Sequence, residues 1–95
     1  MKLVINENTK MKIVGESIKI FDDGTTPNGF TCAILLDASH MSCHSYSDTG
    51  LLAVDVFTCG NNDPSNIIDK FFDELKQMNN NTILINKRFV YRFPL

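Results

Sequence analysis

The apolar positions of the chain fall into blocks of different period. Residues 2–6 form a short apolar run that predicts an edge strand, followed by a polar turn over 7–10. From 11 to 21, Ile13, Ile18 and Ile20 are separated by polar residues, a strand pattern interrupted by a bend or bulge at Gly15. The stretch 22–29, DDGTTPNG, is loop, because Gly24, Pro27 and Gly29 each break regular structure. FTCAILL over 30–36 is apolar without a break, the pattern of a strand buried on both faces. Polar alternation over 40–46, a turn over 48–50 and the apolar run LLAVDVF over 51–57 complete a meander of three strands.

The period then changes from that of a strand to that of a helix. Asp63 supplies an N-cap and Pro64 occupies the first helical position, where its missing N–H costs nothing. Ile67, Ile68, Phe71, Phe72, Leu75 and Met78 share one stripe, which predicts a helix over 64–78 that ends at Asn79 to Asn81. A last strand is predicted over 82–93, where Ile83, Leu84 and Ile85 precede an alternation of Arg88, Val90 and Arg92 with Phe89, Tyr91 and Phe93. Together these elements predict a single α+β domain over residues 1–95. It is a two-layer sandwich in which one mainly antiparallel sheet of five or six strands carries a single helix on one face. One helix covers only part of such a sheet, so a homo-oligomer, first of all a dimer, is expected to bury the rest.

Composition narrows the function classes. A chain of 95 residues is near the lower end of what one hydrophobic core stabilises. Nine Lys and Arg are scattered along a chain of net charge −2, so no basic stripe suits nucleic acid. No apolar run approaches the ~18 residues of a membrane span, and the N-terminal residues do not form a signal peptide, so a cytoplasmic location without membrane contact is expected. Three cysteines without regular spacing fit free thiols in a reducing compartment.

The chemistry is concentrated between Asp37 and Gly60, which hold both histidines, two of the three cysteines and a serine-rich run. Ser39 is expected in a tight turn between strands. Ser39 and His44 are an odd number of residues apart, so they point to opposite faces of a regular strand and converge only if the chain turns at Ser39. A strained turn is one setting in which a hydroxyl attacks its own preceding carbonyl with an imidazole nearby to carry protons. Each residue also has a plainer role. Serine is common in turns, and Cys32 and Cys59 are candidates for buried apolar thiols. His40 and His44 with Cys43 or Cys59 could hold zinc, but no paired Cys-x-x-Cys accompanies them and no metal is expected. Cys43 has no assigned role.

The ordered set Ser39-His40, His44, Phe57-Thr58-Cys59-Gly60 and Asp63-Pro64, within PNGFTCAILLDASHMSCHSYSDTGLLAVDVFTCGNNDP, resembles the self-processing segment of the prokaryotic-type S-adenosylmethionine decarboxylases, pyruvoyl enzymes of polyamine synthesis. The resemblance extends over about residues 12–91. It implies a proenzyme cut between Ala38 and Ser39 into residues 1–38 and 39–95. Ser39 attacks the Ala38 carbonyl, His44 acts as base, and Ser39 becomes the pyruvoyl cofactor, which condenses with the amine of a small-molecule substrate and accepts electrons as carbon dioxide leaves. It further implies Cys59 as proton donor to the substrate α-carbon, Thr31 as a hydroxyl near the site, Tyr46 stacked on a purine and Asp48 accepting from a ribose hydroxyl. The product would be the aminopropyl donor for spermidine.

The chain departs from the family pattern in several places. Ala38 stands where Glu precedes the processing serine, Tyr46-Ser47-Asp48 where Trp-Pro-Glu is usual, and Thr25 where an aromatic flanks the adenine. The usual N-terminal strand and helix have no counterpart in the ten residues before Met11. These departures keep two alternatives open: a pyruvoyl decarboxylase of another amino acid such as arginine or ornithine, and an uncleaved homologue that binds a nucleoside or a partner subunit.

Overall fold

The computed structural model describes residues 1–59 and 62–92. In chain order it contains α1 (Lys2–Asn8), β1 (Ile13–Phe21), β2 (Gly29–Leu36), β3 (His40–Tyr46), β4 (Leu51–Phe57) and α2 (Pro64–Met78). The strands form one antiparallel sheet in the order β1-β2-β3-β4, each paired with its sequence neighbour. The α+β class and the meander hold. The sheet, however, has four strands among the described residues, and two helices pack on it rather than one.

Both corrections have physical causes. Residues 2–6 are helix, not edge strand: short apolar runs carry no period, and burial of the adjacent Val4 and Ile5 against α2 and the sheet decides for helix. Thr9 closes that helix, its backbone N–H (3.0 Å) and hydroxyl (2.8 Å) both donating to the Ile5 carbonyl. The N-terminal residues therefore supply a helix of their own. At the other end, residues 82–92 form no strand, and Phe93 lies outside the described residues. Ile83, Ile85, Val90 and Tyr91 are well exposed, so the alternation there has no second face to bury. Side chains tie this segment down instead. Lys76 Nζ donates to the Asn80 and Thr82 carbonyls, and Lys87 pairs with Asp69 of α2 at 2.6 Å.

Helix α2 matches its pattern. The Asp63 carboxylate accepts from the Ser65 N–H at 2.9 Å, Pro64 opens the helix, and Ile67 and Phe71 are buried. The bulge expected near Gly15 is present as a register shift between Ile13 and Gly15. The core gathers Val4 and Ile5 of α1, Met11, Ile34 and Leu36 of β2, Met41 of β3, and Ile67 and Phe71 of α2. Both helices thus lie on the sheet face that carries the even-numbered residues of β2. Consequently β2 is not buried on both faces: Leu35, between two buried neighbours, is 55% exposed.

Candidate active site

Register builds the site. His40, first residue of β3, pairs with Phe57, last of β4, so the turn before β3 and the loop after β4 meet at one end of the sheet. Asp37 and Ala38 link β2 to β3, with the Leu36 N–H donating to the Ser39 carbonyl at 2.9 Å and the Asp37 N–H to the Lys12 carbonyl at 3.1 Å. Ser39 therefore lies in the expected tight turn. The turn is not strained through φ, since no described residue other than glycine has a positive φ. Across the gap, the Cys59 N–H donates to Ser39 Oγ at 3.2 Å. That bond occupies a lone pair of the hydroxyl and leaves its proton free to be taken, an arrangement suited to a nucleophile. Ala38 is exposed, Ser39 half-buried and Cys59 exposed. The Thr58 hydroxyl, donating to the Asn62 carbonyl at 2.8 Å, closes the loop that carries Cys59, while Gly60 of the same motif lies outside the described residues.

A second group sits elsewhere on the sheet. Thr31 and His44 are register partners on β2 and β3, and Thr31 Oγ1 is 3.1 Å from His44 Nδ1. When Nδ1–H donates to that hydroxyl, Nε2 keeps its lone pair and can act as a base. Tyr46 and Phe21 join these two around a cleft of about 140 Å³. Asp48, outside the cleft lining, accepts from Asn28 Nδ2 at 3.3 Å. Thr25 acts locally, its N–H (3.0 Å) and hydroxyl (2.7 Å) donating to the Asp23 carboxylate and holding that carboxyl below its ordinary range. Phe21 escaped the sequence reading. The signal for it was its position directly before the DDGTTPNG loop, on the strand facing Thr31 and Tyr46.

The structure does not bring the two groups together within one chain. Four residues of regular strand separate His40 from His44, about 13 Å at ~3.3 Å per residue. Direct proton transfer needs roughly 3 Å.

A larger cleft, of about 530 Å³, opens beside Cys59 between β4, the start of α2 and residues 87–92, with Phe57, Thr58, Ser65, Arg88 and Arg92 among its walls. Its volume is within the range of small-molecule sites, whereas the cleft at His44 is below it. The other two cysteines lie on the opposite, helix side of the sheet: Cys32 and Cys43 are register partners one rung from Thr31 and His44, and burial, then Cys32, pushes the Cys43 thiol up. Among the described residues no group of three or more His, Cys, Asp or Glu is placed to hold a metal ion, and no helix is long and apolar enough to cross a membrane.

With this geometry in view, comparison with known proteins is direct. The family profile described as S-adenosylmethionine decarboxylase matches residues 4–88, which contain Thr31, Ser39, His44, Tyr46, Asp48 and Cys59. This chain belongs to the S-adenosylmethionine decarboxylase family. Among its relatives, the S-adenosylmethionine decarboxylase proenzyme of Synechococcus sp. (strain WH7803) is 48% identical over 54 residues, 56% of this chain and 42% of that one. The proenzyme of Brevibacillus brevis is 42% identical over 52 residues, 54% of this chain and 39% of the relative. That of Bacillus velezensis is 29% identical over 68 residues, covering 72% of this chain and 54% of its own length. The match thus spans about half or less of these relatives' length. No solved structure matches the chain.

Proposed function

We propose that the chain is a self-processing, pyruvoyl-dependent decarboxylase of S-adenosylmethionine, cut between Ala38 and Ser39, and that it works as a homodimer with sites shared between copies. The observation that carries this reading is the Cys59 N–H bond to Ser39 Oγ in a family whose named relatives are proenzymes.

The residues present suit the formation of a pyruvoyl group. Ser39 Oγ attacks the carbonyl carbon of exposed Ala38, turning the peptide into an ester. A base removes the Cα proton of residue 39, the ester bond breaks, and residues 1–38 leave as a carboxylate. The dehydrated residue then takes up water and loses ammonia. The resulting ketone supplies an electron sink for decarboxylation. Cys59, held beside residue 39, donates a proton to the substrate carbon. The cleft beside Cys59 receives the substrate.

In this reading the base is His44 of a second copy, which the separation along β3 within one chain supports. Residues 87–92 approach the sheet face opposite the helices at Asp55 and Phe57, where Arg92 lies over the Phe57 ring, and no described helix or strand covers the rest of it, which carries Leu35 (55% exposed), Tyr46 (45%) and Leu51 (49%) around the small residues Ala33, Ser42 and Ala53. Two such faces packed head to tail at the ~10 Å spacing of stacked sheets would set the partner subunit's Thr31, His44, Tyr46 and Phe21 over Ser39 and Cys59. Tyr46 and Phe21 then offer aromatic surface to the purine, and Asp48 an acceptor to the ribose. The small cleft at His44 becomes half of a larger, closed site.

Intact mass under denaturing conditions tests the reading. Fragments of residues 1–38 and 39–95, the second lighter than the plain peptide, are expected, with carbon dioxide released from S-adenosylmethionine in preference to arginine or ornithine. A full-length mass that persists on long incubation overturns it.

A further inference from the structure

We propose that His40 and Phe57 form an aromatic clamp that holds residue 39 against Cys59, with His40 serving as a ring and not as a base; this rests on the self-processing reading above. The two rings are 5.5 Å apart between centroids and inclined by 18°, a stacked pair on the terminal rung of the β3–β4 ladder. Ser39 is covalently next to one member and Thr58-Cys59 to the other, so the pair is the last fixed point that both reactive residues share.

Cleavage makes this position critical. In the intact chain, residue 39 is tethered on both sides, by the peptide bond to Ala38 and by the bond to His40. Once cut, His40 is its only covalent link to the sheet, beside the bond its carbonyl accepts from the Leu36 N–H. A free terminus next to an exposed loop would swing away from Cys59 unless the rung behind it were locked. A ring pair stacked across the strands adds to the backbone pairing there, and such pairs contribute beyond their buried area. The Arg92 guanidinium, 5.8 Å from the Phe57 ring centroid, braces the same ring from the C-terminal segment. His40 is thus a positioning residue.

The test compares His40→Phe, which keeps a ring but no titratable nitrogen, with His40→Leu, which keeps bulk but no ring. Two rates are read. One is self-cleavage by intact mass. The other is iodoacetamide labelling of Cys59, located by peptide mapping, in a slowly cleaving His44→Gln background that keeps the Ser39 hydroxyl. The Leu variant is expected to cleave about fivefold more slowly and to label Cys59 about fivefold faster, while the Phe variant stays within about twofold of the parent on both. A Phe variant as impaired as the Leu variant shows that the imidazole nitrogens are needed and overturns the clamp, as does a Leu variant indistinguishable from the parent. If the parent chain never cleaves, the self-processing reading falls, and the labelling rates still decide whether the clamp exists. Melting temperatures of all variants separate local loosening from unfolding.

Discussion

Sites shared between two copies make a demanding prediction about mixtures of inactive chains. On the proposed mechanism, Ser39→Ala removes the nucleophile, and His44→Gln removes the base while keeping a similar shape. Alone, the first cannot cleave, and the second should slow by about 10²- to 10⁴-fold, the usual contribution of a positioned base. The strand geometry decides what happens when both are made together. Within a chain, His44 is four strand residues, about 13 Å, along β3 from His40, the residue that follows Ser39, well over the roughly 3 Å of direct proton transfer. The Ser39 of a His44→Gln chain can therefore be served only by its partner, and a Ser39→Ala partner brings an intact His44. Random pairing of equal amounts puts about half of the His44→Gln chains into mixed dimers with one complete site. Co-expression with tags of different mass should show up to about half of the His44→Gln chains cut at close to the parental rate. Native mass spectrometry confirms that mixed dimers form. Mixed dimers without cleavage, or a His44→Gln chain that cleaves normally by itself, would refute the reasoning.

Other outcomes follow from the fold. Ile67 is 1% exposed between both helices and the sheet, so Ile67→Ala should cost about 2–5 kcal/mol. That is a large part of the ~5–14 kcal/mol expected for a domain of this size, and it should appear as a reduced midpoint in urea. Gly29→Ala should destabilise more severely. The residue has a φ of +154°, and a Cβ there would run into the Ser45 carbonyl oxygen, so the variant should lose the Gly29 to Tyr46 pairing next to the His44 cleft, seen as poor solubility or a strongly lowered melting temperature. Labelling of the three free thiols should be fastest at exposed Cys59 and slowest at Cys43, whose pKa burial and Cys32 raise. Since the folded state holds the Cys43 proton more tightly than the unfolded chain, that group favours folding less as pH rises above the ordinary thiol range. Cys43→Ala should flatten this alkaline loss in melting experiments.

Much of the architecture is written locally. Asp63-Pro64 and the stripe from Ile67 to Leu75 specify α2 because cap, first-turn proline and period agree. The loop residues of DDGTTPNG and the runs on either side specify the β1–β2–β3–β4 meander, because adjacent antiparallel strands need only short connections. Residues 2–6 and 82–92 misled for one reason: a short apolar run or an alternation shows what is available for burial, while its partner decides the form. For Val4 and Ile5 the partner was the core beneath α2. For residues 83–91 no second face was on offer.

The sequence by itself determined the identity and order of the candidate reactive groups, a serine expected in a turn and a cysteine twenty residues later, because turn and strand patterns are local. Only the tertiary structure decided how they are distributed. It set Ser39 beside Cys59 and paired Thr31 with His44, which lies four strand residues, about 13 Å, along β3 from His40. It also placed both helices on one face of the sheet, leaving most of the other face, with His44, uncovered by any described helix or strand. Sequence spacing describes proximity along one strand; packing determines which faces remain for a second copy.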